Sequence, residues 1–281
     1  MDHKAALAAF TEQVRRNTRP DGTGAEFEQD GPVIRRLARP GHDGSGILWS
    51  DLRTDSADAV IAAQVRIFAA RGEKFEWKVY SYDRPDDLAI RLLAAGFAAE
   101  EQESLMVAET TSVVTALSNA ELPAGVRLER VTDAAGVRRL AEVQELVFHR
   151  DESELRESLL AKLAATPEIA DLVVAMAGDV AVCSARIEFV PGTQFAGLWG
   201  GGTLPQWRRR GIYAAMVRYR AELAADRGYT YLTVDALPES RPILERVGFS
   251  CLATTTPYIW SPGRAGAGSA GTGFPGVGSP A

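Results

Sequence analysis

The segment Thr203-Leu204-Pro205-Gln206-Trp207-Arg208-Arg209-Arg210-Gly211-Ile212-Tyr213 joins a strand to a helix, and its chemistry decides how the chain is read. Pro205 has no N–H with which to extend a ladder, so the strand ends there. Beyond it, Ile212, Ala215, Met216, Tyr219 and Leu223 fall on one stripe at helical spacing. The first turn of such a helix leaves backbone N–H groups unpaired and carries the positive end of the helix dipole. Gly211 removes a side chain where a ligand oxygen would approach the backbone. Arg208, Arg209 and Arg210 add positive charge at the same point, at a cost of ~0.3–1 kcal/mol each against the dipole. A helix with a purely structural task would not carry three of them; a bound anion of the pyrophosphate kind explains them. The chain has no GxxxxGK[ST] P-loop. Gly200-Gly201-Gly202 stops short of the helix, with Pro205 and Trp207 between, so it is no dinucleotide fingerprint. The triplet predicts a bulge or splay in the strand instead.

Outward from this segment the pattern is an alternation of strands and helices. In the C-terminal half, strands are expected at 126–131, 171–177, 180–189 and 195–204, with a hairpin turn at Gly178-Asp179. Helices are expected at 134–147, 153–164 and 211–226. A strand at 230–236, a helix at 239–246 and two closing strands at 249–253 and 256–260 follow. The N-terminal half predicts a surface helix at 4–16, strands at 33–37 and 47–52, a helix at 56–71, a strand at 75–81, a helix at 86–95 stopped by Gly96, and a closing strand at 104–108. Asn119, Pro123 and Gly125 mark a boundary at 118–125. The predicted organisation is therefore two domains, 1–118 and 126–260. The stretch 261–281, rich in Gly, Ala, Ser and Pro with Arg264 as its only charge, is expected to be a disordered tail.

The two halves resemble each other. Arg71-Gly72 precedes the strand at 75–81 and Gly96-Phe97 ends the next helix; Arg227-Gly228 precedes the strand at 230–236 and Gly248-Phe249 ends the helix after it. Two dipeptides at matching points of one helix–strand–helix–strand order suggest a diverged duplication. The N-terminal copy lacks the anion site: the position matching Gly211 is Asp55, whose charge would repel a phosphate, and no R-x-x-G precedes it.

Arg208-x-x-Gly211 after a strand ending in Thr203-Leu204-Pro205, with Gly248-Phe249 downstream, resembles the GNAT N-acetyltransferase superfamily. The resemblance covers 126–260 fully and about 26–108 in weakened form. It implies an α/β fold built on a mixed sheet that splays between its fourth and fifth strands, twice in tandem, with a degenerate N-terminal copy. It implies acetyl-CoA as cosubstrate, the backbone of Thr203 and Leu204 pairing with pantetheine amides, and the N–H groups around Arg208, Arg209, Arg210, Gly211, Ile212 and Tyr213 holding the pyrophosphate. Ser240, at the start of the following helix, joins the same cofactor set. The sequence departs from the family at three points. Tyr213 stands where Gly or Ala is usual, Leu237 where asparagine is common, and Leu244 where a tyrosine usually protonates the departing thiolate.

The implied reaction is direct attack by a primary amine of a small molecule or peptide in a ternary complex, with a carboxylate or water taking the amine proton. Glu188 and Asp235 are the carboxylates nearest the expected cleft; Asp235 shares a strand face with Tyr231 and Thr233. Each residue also has a purely structural reading, as a solvated strand residue or a hydrogen-bonding group at the splay. His149 at a helix end is a further candidate, and Trp199 and Trp207 could wall the cleft or simply pack. An acyl-CoA-binding module without turnover is the alternative function. A net charge of −6 and the lack of a wider basic face speak against nucleic acid. No run of ~18 apolar residues is present to span a bilayer, and the N-terminus lacks a signal-peptide core, so a cytoplasmic protein is expected. Cys183 and Cys251 sit in apolar runs without metal-ligand spacing; no metal site is expected. A monomer is expected, a homodimer being the alternative.

Overall fold

The computed structural model describes residues 1–17, 24–39 and 44–263; all but the first three residues of the tail expected at 261–281 lie outside them. The N-terminal half runs α1 (His3–Phe10), a π-helical turn (Thr11–Arg16), β1 (Glu26–Asp30), β2 (Val33–Leu37), β3 (Gly46–Ser50), α2 (Ala57–Arg71), β4 (Phe75–Tyr80), α3 (Leu88–Ala94), β5 (Ala98–Ala99), β6 (Glu103–Glu109) and α4 (Thr110–Ala116). The C-terminal half runs β7 (Val126–Val131), α5 (Ala134–Phe148), α6 (Ser153–Ala165), β8 (Ala170–Ala177), β9 (Val180–Phe189), β10 (Phe195–Thr203), a 3-10 turn (Pro205–Trp207), α7 (Ile212–Asp226), β11 (Tyr231–Ala236), α8 (Arg241–Arg246) and β12 (Ser250–Trp260).

All the strands form one mixed sheet of order β1-β2-β3-β4-β12-β6-β11-β10-β9-β8-β7, with β5 set against β12. The two closing strands are exchanged. β6, from the N-terminal half, pairs with β11; β12, from the C-terminal half, pairs with β4; β6 and β12 pair with each other at the centre. The order reads alike from the centre outward, and the parallel contact β3–β4 mirrors the parallel contact β10–β11. The duplication legible in the dipeptides is thus a pseudo-twofold arrangement about the central antiparallel pair.

One face of the sheet carries α2, α3, α4, α7 and α8. In the N-terminal half, Phe68 of α2 stacks on Phe75 of β4 at 4.0 Å, beside the buried Trp77. In the C-terminal half, Val217, Ala221 and Ala224 of α7 pack on Leu232 and Val234 of β11 with Leu244 of α8. The opposite face carries α5 and α6 over β8 and β9, and α1 with its π-helical turn over the central strands. Burying a Phe or Leu side chain contributes about 1.5–3 kcal/mol, so these clusters dominate the stabilisation.

Several expectations change. The N-terminal helix is docked rather than superficial: Phe10 is buried against Tyr80, Leu105, Val107 and Phe195, and Arg15 is buried in a bidentate pair with Asp83. The two strands expected at 249–253 and 256–260 are one strand with a bulge between Cys251 and Ala253. On α7 the buried stripe is Ile212, Ala215, Met216, Val217, Arg220, Ala221 and Ala224, leaving Tyr219 and Leu223 half-exposed. Residues 118–125 lie between α4 and β7, and the sheet continues across the two halves. Cleaving the chain there should leave both fragments co-eluting as a single native species on size-exclusion chromatography. Two separately eluting fragments would contradict the exchanged strands. No helix among the described residues is long and apolar enough to cross a membrane.

Candidate active site

The parallel strands β10 and β11 pair only over Phe195–Tyr231, Ala196–Leu232 and Gly197–Thr233, then part. A bulge between Trp199 and Gly202 bends β10 at the parting. Gly200 has φ +57°, a left-handed conformation that favours glycine, and a Cβ there would push on the ends of the Gln144 and Arg186 side chains. The glycine triplet therefore forms the predicted bulge.

Below the open end, the 3-10 turn leads into the arginine loop. Arg209 has φ +60° and Gly211 φ +81°, two left-handed residues that curl the backbone before α7. Gly211 is the N-cap and supplies no side chain to the helix start. Among the described residues, the amides of Arg209, Arg210, Gly211 and Ile212 have no protein acceptor. Arg209 and Arg210 are exposed, with Arg210 lying over the Trp207 ring at 4.7 Å. Arg208 turns back, its Nε donating to the Thr203 carbonyl at 3.1 Å. That carbonyl is on the β10 edge assigned to pantetheine, so a ligand amide pairing there would have to displace Arg208. Leu204 is buried against Val143 and Val147, its amide donating to Val182. Tyr213 packs against the core formed by α7 and β11. Ser240 is buried, and its hydroxyl has no hydrogen-bond partner among the described residues.

The two carboxylates sit differently. Glu188 on β9 accepts from Lys162 of α6 at 2.9 Å and from Arg186 at 3.0 Å. Burial raises its pKa, but Lys162 and Arg186 outweigh burial and bring it down to about 2. A folded-state pKa below the unfolded value means stability present at neutral pH and lost as pH falls from ~4.5 towards 2. Glu188→Gln should cost ~2–3 kcal/mol at pH 7 and flatten the loss of stability below pH ~4.5. Thermal melts from pH 2.5 to 7 check this; an unchanged acid limb would contradict it.

Asp235 lies two residues beyond the last β10–β11 pair, on the face of Thr233. Its Oδ2 accepts from Lys78 of β4 at 2.6 Å, and its Oδ1 is buried without a partner. Lys78 also donates to Glu103 of β6 at 3.1 Å. Lys78 and Asp235 occupy equivalent registers. Tyr80 faces Thr255, Ala236 faces Ser104, and each residue of the pair lies two positions before the one opposite the central Thr255–Glu103 pair. The ion pair therefore spans the pseudo-twofold axis.

The remaining candidates are placed as follows. His149 is exposed in a left-handed C-cap of α5. Trp199 is half-buried with Arg186 over its ring at 5.8 Å, and Trp207 packs beside Leu204. Leu244 is fully buried in the core, and Leu237 follows β11. Cys183 is buried, which pushes its thiol up to about 11. In the N-terminal half, Asp55 is exposed before α2 and pairs with Arg53 at 3.0 Å. Sequence reasoning missed Gln144, Arg186 and Lys78. The first two left a trace: Gln144 interrupts the apolar stripe of Val137, Leu140, Ala141 and Val147, and both its amide atoms are buried without partners. Arg186 interrupts an otherwise buried strand, and its Nη1 is likewise unpartnered.

The overall fold superposes on solved acetyltransferase structures. A GCN5-related N-acetyltransferase from Kribbella flavida superposes over 93% of this chain and 94% of its own, at TM-score 0.65 and 18% identity. The chain has the GNAT fold. Its tandem form is matched by a tandem GNAT protein from the clavulanic acid biosynthesis pathway, covering 92% of this chain and 94% of that one at TM-score 0.59 and 13% identity. A conserved protein of unknown function from Staphylococcus epidermidis matches 85% of this chain and 95% of its own at TM-score 0.65 and 12% identity. No protein-family model and no curated protein matches the chain. At these identities the likeness carries the GNAT fold and leaves the chemistry to be argued from the residues.

Proposed function

We propose that the chain is an acetyl-CoA-dependent N-acetyltransferase acting on a primary amine, with its donor site in the 126–260 half. The observation that carries this is the set of unpartnered amides from Arg209 to Ile212 at the start of α7, beneath the parting of β10 and β11. Unpaired N–H groups on a helix dipole, flanked by three arginines, suit a pyrophosphate. The open edge of β10 is confined to Thr203, because the Leu204 amide donates to Val182 and its carbonyl accepts from Trp207. Of the two expected residues only Thr203 is therefore placed to meet an extended amide chain, once Arg208 moves to the phosphates. Ser240 offers a hydroxyl in need of a partner. The donor supplies an acyl thioester; the protein's part is to hold it, orient the amine and accept a proton.

Between the two carboxylates, we assign the proton-accepting role to Asp235. Glu188, held near 2 by two cations, is a weak base at neutral pH, and its pairing suits the positioning of Arg186 beside the bulge. Asp235 has one oxygen without a partner where the strands part. With Leu244 in the core, the tyrosine usual at that position in similar proteins is absent, so that proton donor is missing or comes from elsewhere. A thiol pKa of ~8.5, by analogy with cysteine, allows water to protonate the leaving thiolate near neutral pH.

That missing donor also favours a second reading, a non-catalytic acyl-CoA-binding module. Release of free thiol from acetyl-CoA with a panel of primary amines separates the two. Amine-dependent thiol release supports the transferase. Binding of acetyl-CoA without release selects the module, and absence of binding defeats both.

A further inference from the structure

The N-terminal half has its own parting. β3 and β4 pair only at Gly46–Glu76 and Ile47–Trp77, the counterpart of Gly197–Thr233 in the other half. Under the π-helical turn this opening forms a cavity of about 180 Å³, whose lining includes Val14, Arg15, Leu48, Glu76, Lys78 and Tyr80. One water needs ~10–15 Å³ of such space, so the cavity takes several waters or the end of a small organic molecule.

Most of its polar lining is already engaged. Arg15 donates to both oxygens of Asp83 and to the Leu48 carbonyl. Lys78 donates to Glu103 and Asp235. Ser45 accepts from the Ala38 amide and donates to Glu73. The Glu76 carboxyl and the Tyr80 hydroxyl have no hydrogen-bond partner among the described residues.

The charges around it are unbalanced. Arg15, Lys78 and Arg36, which donates to the Gly44 carbonyl of the lining, stand against Asp83, Glu103, Asp235 and Glu76, three cations against four carboxylates when all are ionised. Burial is the largest influence on Glu76. Lys78 opposes it, while Glu103, Asp235 and Glu100 add to it, and the carboxyl is pushed up to about 7. A proton on Glu76 offsets the excess; a bound cation would do the same. Val14 and Leu48 offer apolar surface beside the carboxyl.

We propose that this cavity binds a small organic ammonium ion, with Glu76 as its counter-ion and the apolar wall covering its alkyl part. Nothing in this rests on the acetyl-transfer reading, because the cavity belongs to the half without the arginine loop. The ammonium takes the place of the Glu76 proton, so affinity rises with pH while the amine itself stays protonated. A carboxyl near 7 predicts a rise of about tenfold from pH 6 to pH 8.

The test is calorimetric titration of the full chain, without acetyl-CoA, using n-butylammonium chloride and n-butanol as probes at pH 6, 7 and 8. The expected result is binding of butylammonium that strengthens with pH, at least tenfold weaker binding of butanol, and at least tenfold loss in Glu76→Gln. Glutamine matches the neutral carboxyl in shape, and a melting curve checks its fold. If that variant does not fold, the wild-type pH series decides. Absence of butylammonium binding, equal binding of the alcohol, affinity that does not rise with pH, or full affinity in folded Glu76→Gln would each overturn the proposal. Thiol release plays no part in any of these readings, so this proposal and the transferase reading can fail separately.

Discussion

Gly211→Glu is expected to abolish acetyl-CoA binding, weakening it by more than about 100-fold in a calorimetric titration. The substitution acts in two ways that a second variant separates. Gly211 has φ +81°, so any side chain strains the backbone, by ~1–2 kcal/mol for a left-handed residue. A Cβ there would also sit 3.3 Å from the Glu121 carbonyl, tighter than an ordinary contact. Gly211→Ala carries this backbone cost alone and should lose affinity by no more than about tenfold, provided the loop keeps its shape. The glutamate adds a negative charge among the unpartnered amides of Arg209 to Ile212, where the proposed pyrophosphate would lie. The difference between the two variants is the electrostatic part, and it should shrink as salt is raised. Folded Gly211→Glu with unchanged affinity for acetyl-CoA would remove this loop from the donor site.

The arginine loop was legible because it breaks a local rule: cations at a helix start oppose the dipole, and an exception of that kind points to a ligand. Most strands and helices were legible for the usual reason, that one buried face imposes a period on the sequence. What escaped was long-range. The strand at 103–109 reads as the closing strand of its own half, and nothing in its seven residues says that it pairs with β11 and β12 instead. Exchange between two copies preserves every local pattern, because each closing strand meets a neighbour equivalent to the one it left. Lys78 was invisible for the same cause: its carboxylate partner Asp235 lies 157 residues away and becomes a neighbour only through the exchange. The short helix α4 was missed because Thr110-Thr-Ser-Val-Val-Thr-Ala116 is rich in β-branched residues, poor helix formers, and is held helical by its packing against α7. Arg220 lies outside the stripe read from the sequence. It is buried because its guanidinium donates to the Met216 and Arg186 carbonyls, a partnership that periodicity alone does not reveal.

Asp235→Asn is expected to lower turnover by ~10²–10⁴-fold with little change in acetyl-CoA affinity, the signature of a lost proton acceptor that does not touch the donor. The variant keeps an oxygen for Lys78, and Lys78 keeps Glu103, so the fold should survive with a reduced melting temperature. Stability loss alone would lower the amount of active protein without altering the pH profile of the folded fraction. Loss of the acceptor should change that profile, and raising pH should recover part of the rate as the amine deprotonates in solution. Glu188→Gln is the matched comparison. It removes a carboxylate on the same face of the sheet, but one held near 2 by Lys162 and Arg186, so turnover in the folded variant should stay within about tenfold of wild type. Leu244→Tyr, which would restore the side chain usual in similar proteins, is a poor control. Leu244 is fully buried among Val234, Ala236 and Phe249, and a larger residue there would cost ~1–3 kcal/mol in overpacking before its hydroxyl could act. If Asp235→Asn retains full turnover and an unchanged profile, the amine loses its proton to solvent or to another group, and the ion pair across the pseudo-twofold axis is a structural clasp between the halves.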